Sequence, residues 1–579
     1  MRFRQYINLL VRYLRPQTRL VVVVAVLLFT GIGLQLVNPQ IIRYFIDEAL
    51  AGSPIDRLVA AAALFTSIAV VQQVVTVLAT YTSGRVGWTA TNALRADLAR
   101  HCLSLDMSFH NSRTPGEMIE RIDGDANELG GFFSNFVIDL LGNAVLLVGI
   151  LALLFREDWR AGLALTSFTA LMVVILSSMR HMSVAHWKKE RDASTDTFGF
   201  IEERLSGRED IRTNAAKSYV DRRFRELMRV WFRAEIKAGL MTVFVFNTNG
   251  FMFRAGSAIA LGVGAYLFLR DLTTIGSVYL IFHYTSLLGD PIQRMARQLN
   301  DLQRATASLF RIHELLQHSK TVLDGPGAEL TDGMASLRFD VVSFGYSKGE
   351  AVLRDVTFDV RPGRVLGLLG RTGSGKTTVA RLLVRLYDPD EGTILLGGED
   401  IRHHAVFDLR EHIAMVTQDV RLFHGTLRDN LTLYDGTVSD ERLLEVLDRL
   451  GIMPWYGTQP EGLDTQLGSG GAGLSTGEAQ LLALGRVFLR DPKVVVLDEP
   501  TSRLDRGTER IIGGTLDKLI TGRTVVIIAH HLATVARCDD ILILDDGRVV
   551  EHGDRKQLAT DPDTRYHHLL QTGMEEMLE

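Results

Sequence analysis

Six long stretches with no formal charge, or with one, constrain the fold of this chain more than any other feature. They are residues 20–42, 58–84, 132–155, 161–179, 238–269 and 272–289. A helix that crosses the hydrocarbon core of a bilayer needs about 20 mostly apolar residues. We therefore predict six membrane-spanning helices. Runs of this length argue against the alternative, buried helices of a large soluble core.

Basic residues before the first apolar stretch set the predicted orientation. The segment contains no acidic residue, and its arginines are Arg2, Arg4, Arg12, Arg15 and Arg19. Cytoplasmic flanks of membrane helices carry such an excess of positive charge. We expect a cytoplasmic N-terminus, and six crossings return the C-terminus to the cytoplasm. The excess of arginine over lysine is typical of GC-rich bacterial genomes, so the predicted location is a bacterial inner membrane.

The connections between the predicted spans alternate between short and long. Those after the second and fourth spans are charged and helix-forming, and by the orientation above both are cytoplasmic. Because an α-helix rises 1.5 Å per residue, helices of this length would extend well beyond the bilayer into the cytosol.

Composition divides the remaining chain. A chain of 579 residues is too long for one core, and 23% charged residues are too many for a protein buried entirely in lipid. We predict a membrane domain at 1–318, a polar linker at 319–333 and a soluble α/β domain at 334–579.

The net charge of −5 gives no reason to expect nucleic acid as a partner. Cys102 and Cys538 lie far apart and indicate neither a disulfide nor a metal site.

The segment "GRTGSGKTT" predicts a phosphate-binding loop between a strand and a helix. Glycines let the backbone wrap so that N–H groups point at phosphate oxygens, and the helix N-terminus adds partial positive charge. In this pattern Lys376 reaches the β- and γ-phosphates and Thr377 ligates Mg²⁺. The candidate nucleotide-binding residues here are Gly370, Gly373, Ser374, Gly375, Lys376, Thr377 and Thr378.

Further motifs follow in a fixed order and carry a family resemblance. They are "FGYSKG" before the loop, then "MVTQDV", "LSTGE", "VVVLDEP", "SRLD" and "IIAHH" after it. With these motifs essentially the whole chain resembles a half-transporter of the type IV ABC exporters, in the multidrug and lipid exporter family. The resemblance implies a six-helix membrane domain followed by an α/β P-loop ATPase domain, with ATP and Mg²⁺ as cofactors.

The resemblance assigns a role to each motif residue. Tyr346 would stack on adenine, and Gln418 would sense Mg²⁺ and the attacking water. Asp498 would support the metal together with Thr377 and Gln418, while Glu499 polarises the water and His530 contacts the γ-phosphate. Phosphoryl transfer to water needs charge neutralisation and an oriented nucleophile more than covalent help.

Two cytoplasmic stretches resemble the coupling helices, which lie at the tips of the long intracellular helical hairpins of type IV ABC exporters. The segment 108–125, "SFHNSRTPGEMIERIDGD", matches at Phe109, Gly116, Glu117, Arg121 and Asp125. A second coupling helix is expected near 206–218.

The signature motif "LSTGE" departs from the LSGGQ typical of the family. In the family each ATP lies between two chains. One chain contributes its Walker motifs, which are "GRTGSGKTT" and "VVVLDEP" in this sequence. The other chain contributes its signature, here Ser475 and Gly477. Thr476 replaces a glycine, Glu478 replaces a neutral amide, and Ser469 stands where exporters commonly have a glutamate. Since the Walker motifs are intact, we expect a heterodimer with a second half-transporter and two unequal ATP sites. A homodimer is the alternative.

The substrate stays open at this point. The resemblance implies export of an amphipathic, lipid or peptide molecule from a membrane-lipid environment. An exporter-shaped importer, for siderophore or lipid uptake, and a regulatory ABC protein are the alternatives, although Glu499 and His530 favour a working ATPase. A charge inside a membrane is costly, so Arg254 either faces the cavity and favours anionic substrates or pairs with Asp139. His283 is a further polar group within a span.

Overall fold

The computed structural model describes residues 11–327, 334–347, 349–468, 470, 473–499, 506–529 and 531–572. The chain forms two compact units. One comprises Met1–Leu103 and Pro115–His318, and the other comprises Ser104–Thr114 and Ser319–Glu579. The first unit ends at His318, where the predicted membrane domain ends, and residues 319–327 of the predicted linker fall in the second unit.

The first unit is helical throughout its described residues. Several helices are far longer than a bilayer is thick: the 50 residues of Ile55–Ser104 extend about 75 Å. The elements are Arg15–Gln17, Thr18–Leu50, Ile55–Ser104, Pro115–Ile119, Glu120–Gly124, Asp125–Phe136, Val137–Gly142, Asn143–Glu157, Trp159–Ser206, Arg208–Thr213, Lys217–Leu269, Ile275–Leu287 and Gly289–Gln317. Of these, Glu120–Gly124 and Val137–Gly142 are π-helical turns.

Within the described residues, five helices are long and apolar enough to cross a membrane. They are Val11–Leu50, Ile55–Ser104, Leu140–Glu157, Trp159–Ser206 and Lys217–Leu269, and each overlaps a predicted span. The chain is thus a multi-pass membrane protein.

The sixth predicted span, 272–289, coincides with a helix of only 13 residues, Ile275–Leu287. A second helix, Gly289–Gln317, follows after Leu288. Pro291 has no N–H to donate to the carbonyl of Leu287, which accounts for the interruption. A sixth crossing therefore stays a prediction.

Polar contacts hold several membrane helices together. The Tyr284 hydroxyl donates to the Leu36 carbonyl at 2.7 Å and lies 3.1 Å from Gln40 Nε2. Arg43 Nη1 donates to Glu157 Oε2 at 2.6 Å, which joins the helix Thr18–Leu50 to Asn143–Glu157. Interhelical hydrogen bonds of this kind help to fix the packing of membrane helices.

The strands of the second unit are β1 Leu337–Phe344, β2 Leu353–Val360, β3 Val365–Gly370, β4 Glu391–Leu396, β5 Glu399–Asp400, β6 Ile413–Val416, β7 Gly425–Thr426, β8 Gln466–Leu467, β9 Val494–Asp498, β10 Thr524–Ile528, β11 Asp540–Asp545 and β12 Arg548–Asp554. They form a six-stranded sheet in the order β12-β11-β3-β10-β9-β6 and a four-stranded sheet in the order β2-β1-β4-β5. β7 and β8 form a separate pair.

The central strands of the larger sheet are parallel and wholly buried. β3, β9 and β10 are buried at every residue and pair in parallel, as expected for apolar runs covered on both faces. The helices of this unit are Met107–Asn111, Lys376–Leu383, Ile401–His403, Val406–His412, Leu427–Thr432, Asp440–Arg449, Met453–Tyr456, Gly462–Asp464, Thr476–Arg490, Arg506–Ile520, Leu532–Val535, Arg555–Thr560 and Arg565–Thr572. The α/β fold predicted for this half is confirmed.

The segment Ser104–Thr114 corrects the linear domain division. It belongs to the second unit, although the sequence places it in the membrane domain. Asn111 Nδ2 donates to the Tyr387 hydroxyl at 2.6 Å, and the Asp106 carboxylate accepts from the Thr321 hydroxyl at 2.8 Å. These tertiary contacts account for the difference.

Candidate nucleotide-binding site

Parallel strands bring the predicted catalytic segments to one edge of the sheet. β9 and β10 pair directly, and β10 pairs with β3 on its other side. The loop after β3, the end of β9 and the segment after β10 therefore leave the sheet on the same side, which is where ligands bind in open α/β sheets.

The loop after β3 needs its glycines. Gly370, Gly373 and Gly375 have φ of 149°, 86° and 104°, in a region that side chains with a Cβ rarely adopt. A Cβ on Gly370 would lie 2.2 Å from the Leu544 carbonyl oxygen, and one on Gly375 would lie 2.6 Å from Leu353 Cδ2. The backbone can wrap this tightly only without those side chains.

Lys376 begins the helix after the loop and turns its ammonium group back into it. Its Nζ donates to the carbonyls of Gly370 at 2.6 Å and Arg371 at 2.9 Å. The residue is 7% exposed, and burial lowers the pKa of Lys376, while Glu499 and Asp498 oppose that shift. A buried ammonium held by neutral carbonyls is suited to anionic oxygens placed in the loop.

Ser374 supplies an independent sign that this loop fits a phosphate. Its hydroxyl is buried and has no hydrogen-bond partner within the part of the chain that the structure describes. An unsatisfied buried polar group costs about 1–3 kcal/mol. A phosphate oxygen in the loop would satisfy it.

Asp498, at the end of β9, lies near the Thr377 hydroxyl. Burial raises the pKa of Asp498, the negative charge of the adjacent Glu499 raises it further, and the Thr377 hydroxyl lowers it in part. A hydroxyl and a carboxylate side by side are hard oxygen ligands of the kind that Mg²⁺ prefers, and a cation would offset the repulsion between the two carboxylates. The residues fit a magnesium site.

Glu499 is held from two directions. Gln418 Nε2 donates to its Oε2 at 2.6 Å, and its own N–H donates to the Ile528 carbonyl at 3.2 Å. Its φ of 50° is uncommon for a residue with a side chain, and such backbone strain clusters at functional sites. The structure thus brings Gln418, from the segment after β6, to the end of β9.

Tyr346 lies against the helix that follows the phosphate loop. Its hydroxyl is 3.1 Å from Thr378 Oγ1 and accepts from Arg381 Nη1 at 3.1 Å. Its ring makes an edge contact with Tyr387 at 5.3 Å, and 41% of the residue stays exposed. An anchored but accessible ring is available for stacking.

Ser475 and Gly477 form the start of another helix, Thr476–Arg490. The Ser475 hydroxyl and N–H both donate to Glu478 Oε2, at 2.8 and 2.7 Å, in a capping box. A Cβ on Gly477 would lie 2.1 Å from Thr508 Cγ2, so this glycine permits close helix packing. Within the described residues, neither Ser475 nor Gly477 has a hydrogen bond to the phosphate loop.

Ser469, His530 and the last residue of the motif "SRLD", Asp505, lie outside the described residues. The stretch 206–218, where a second coupling helix is predicted, contains the helix Arg208–Thr213, which has no buried residue. Both cysteines are buried.

The sequence prediction did not include Arg381 and Tyr387, which anchor Tyr346. Helical spacing gave a signal for Arg381, because it lies one turn after Thr378 and thus on the same face of the helix. Tyr387 lies beyond the end of that helix, and only the tertiary fold brings it to Tyr346.

Comparisons with known proteins agree with this geometry. A family model described as the ABC transporter transmembrane region matches residues 21–292, and one described as ABC transporter matches residues 353–502. The uncharacterised ABC transporter ATP-binding protein YknV of Bacillus subtilis is 30% identical over 559 residues, which cover 95% of this chain and 91% of YknV.

Other relatives have more specific names. An ATP-dependent lipid A-core flippase of Idiomarina loihiensis is 28% identical, with 89% of both chains covered. A putative multidrug export ATP-binding/permease protein of Bacillus subtilis, YgaD, is 26% identical, with 96% of this chain and 97% of YgaD covered. The solved structure of a bacterial Atm1-family ABC exporter with ATP bound matches with a TM-score of 0.80 and 25% identity, over 96% of this chain and 99% of that one. The chain therefore belongs to the ABC transporters of the exporter type, with a transmembrane region and an ATP-hydrolysing domain in one polypeptide.

Proposed function

We propose that this chain is one half of a dimeric exporter that moves an amphipathic or lipid-like molecule across a bacterial inner membrane by alternating access. The observation that carries the proposal is the presence, in one chain, of five membrane-length helices and of the buried Lys376 and Asp498 beside Glu499. The names of the lipid A-core flippase and the multidrug export protein support this substrate class.

In the proposed reaction the chain's own residues bind ATP and orient water. Lys376, the Ser374 hydroxyl and the loop N–H groups hold the phosphates, and Tyr346 stacks on the base. Thr377 and Asp498 would hold Mg²⁺, which neutralises charge on the phosphate oxygens.

Glu499, fixed by Gln418, orients a water molecule in line with the γ-phosphorus. The water oxygen forms a bond to that phosphorus as the bond to the β–γ bridging oxygen breaks, and Glu499 accepts the proton of the water. His530 is proposed to contact the γ-phosphate.

A second chain completes each site in this proposal. Ser475 and Gly477 would contact the ATP that the Walker motifs of the partner hold, and the partner's signature would cover Lys376. Because Thr476 and Glu478 weaken this chain's signature, we favour a partner with a standard signature, a heterodimer, over a second copy.

Proteoliposomes with ATP added outside test the proposal. A panel of fluorescent phospholipids, amphipathic dyes and peptides is followed in the purified transporter and in its Glu499→Gln variant. We expect ATP-dependent movement of at least one probe, away from the ATP side, only in the wild type. Movement toward the ATP side would identify an importer. ATP hydrolysis that moves no probe would contradict the proposal.

A further inference from the structure

One ion pair lies close to two of the places where the chain passes between its two units. The chain passes from one unit to the other at Leu103/Ser104, Thr114/Pro115 and His318/Ser319. Asp125 follows the second of these points by about three helical turns, and Arg311 precedes the third by about two. Both residues belong to the first unit, so their contact joins the segment that enters it to the segment that leaves it.

The pair is a bidentate one around a buried carboxylate. Asp125 is 1% exposed. Arg311 Nε donates to both of its oxygens, at 2.9 and 3.1 Å, and Arg311 Nη2 also donates to Oδ1. Ser308, itself buried, accepts from the same Nη2 at 3.1 Å. Paired, charge-assisted bonds of this kind fix orientation as well as distance.

A buried arginine holds the same position of the last helix through the main chain, whereas the side chain of Arg311 itself is 46% exposed. Arg121 is 8% exposed, and its Nη1 donates to the main-chain carbonyl of Arg311 at 3.2 Å. Its Nη2 donates to Glu117 at 2.9 Å. Residue 311 is thus held through its side chain by Asp125 and through its carbonyl by Arg121.

The segment that makes these contacts is not a regular helix. Glu120–Gly124 forms a π-helical turn directly before Asp125. Such turns are rare and frequently occur at functional sites. The turn lies between the point where the chain enters the first unit and the long helical segment that leads into the membrane.

We propose that Asp125 and Arg311 form a clamp that transmits movement of the ATPase unit to the membrane helices. A displacement of the helix end near His318 then carries the Asp125 segment with it, because a buried carboxylate cannot leave its partner without becoming an uncompensated charge. Asp125 and Arg311 are positioning residues that touch neither nucleotide nor substrate. This inference rests on the proposed function.

The chain offers a matched control on the same two helices. Arg304 lies 3.9 Å from Glu128, and both side chains are exposed, at 65% and 44%. Exposed pairs of this kind contribute little to stability. Glu128→Gln therefore removes a charge from the same interface without breaking a buried contact.

The test measures ATP turnover and membrane-helix movement in the same full-length transporter in nanodiscs, with its partner chain where one is required. Spin labels are placed at Arg57→Cys and Arg270→Cys, and the distance between them is measured without nucleotide and after trapping with ATP and vanadate. In the wild type, trapping should shift part of the transporter population to a different distance between the labels. We expect Asp125→Asn to keep ATP turnover within about threefold of wild type, while the fraction of transporters that shifts on trapping falls at least about fivefold. Glu128→Gln should change neither quantity.

Arg311→Lys supplies a second variant, since lysine keeps the charge but lacks the bidentate fork. It carries the test, with the same criteria, if Asp125→Asn does not assemble. The clamp would be overturned if either variant showed the same distance shift on trapping as the wild type. It would also be overturned if ATP turnover and the distance shift fell by the same factor. Absence of any shift in the wild type would instead overturn the proposed alternating access, and the clamp with it.

Discussion

The charges around the phosphate loop depend on one another because burial removes the water that would otherwise screen them. Burial lowers the pKa of Lys376 and raises that of Asp498, while each group favours the charged form of the other. The sequence motif predicted these residues because their spacing is a local property of a strand, a loop and a helix. It did not predict the Gln418–Glu499 bond, which joins segments far apart in the chain.

A prediction at this scale concerns Tyr346, whose ring and hydroxyl have separable roles. Tyr346→Phe loses the contacts to Thr378 and Arg381 but keeps a ring for stacking. Stacking of a base on an aromatic ring contributes about 1–3 kcal/mol. We expect Tyr346→Ala to weaken binding of a fluorescent ATP analogue at least about fivefold, and Tyr346→Phe to change it by less than about twofold. Equal effects of the two variants would show that the ring does not stack.

Glu478 has a structural role that comparison with the usual signature did not predict. Its carboxylate accepts hydrogen bonds from the Ser475 N–H and hydroxyl at the start of the helix. Its spacing of three residues from a serine is the capping-box pattern, so the sequence did contain the signal.

At the scale of helices and strands, apolar stretches in the sequence predicted most of the membrane helices and the central strands. A helix that crosses a bilayer needs about 20 apolar residues, and a strand covered on both faces of a sheet needs a short continuous apolar run. Two features escaped prediction. Pro291 interrupts the last predicted span at Leu288, and π-helical turns have no sequence periodicity of their own.

The helix that begins at Thr476 supplies a test of the cap. Glu478→Ala removes the carboxylate that accepts from Ser475 but leaves Ser475 as the N-cap. With a loss of at most about 1 kcal/mol in stability, it should lower the unfolding temperature of the purified transporter. Glutamine can form the same box, so Glu478→Gln should shift it by much less. Thermal unfolding of both variants measures this. A larger loss in the glutamine variant would contradict the capping role.

The long helix Lys217–Leu269 carries Arg254, which is exposed on this chain. The side chain of Asp139, its alternative partner, lies outside the described residues. We predict that Arg254 faces the translocation pathway and favours substrates with an anionic group, because a desolvated cation needs a counter-charge. Arg254→Ala should reduce stimulation of ATP turnover by anionic amphipaths at least about fivefold and leave that by neutral ones unchanged.

Arg254→Lys is the matched control, since it retains the positive charge. If expression and assembly of Arg254→Ala fall while selectivity does not change, the residue is structural and the prediction is wrong.

For the whole molecule, the order of motifs predicted the architecture because each motif has a fixed place in the fold. The assignment of Ser104–Thr114 to the ATPase unit could not be predicted, since it depends on tertiary contacts such as that between Asn111 and Tyr387. The only feature of the sequence that favours a separate partner chain is its departure from the usual signature.

The partner is the subject of a prediction at this scale. Expressed alone, the chain should show little ATP turnover, because Thr476 and Glu478 would weaken both sites of a homodimer. Co-expression with a half-transporter that has a standard signature should raise turnover at least about tenfold, the effect of about 1.4 kcal/mol. Turnover of the purified chain, alone and paired, measures this. A stable homodimer with robust, transport-coupled turnover would refute the heterodimer.

The central claim, that hydrolysis at this chain's own Glu499 drives transport, is tested most directly by steady-state ATP turnover of Glu499→Gln in the assembled transporter in nanodiscs. Loss of a base that orients water should lower turnover by about 100-fold or more. Binding of a fluorescent ATP analogue should stay within about threefold of wild type, because Lys376 and the loop N–H groups remain. Turnover within about twofold of wild type, with binding intact, would contradict the account.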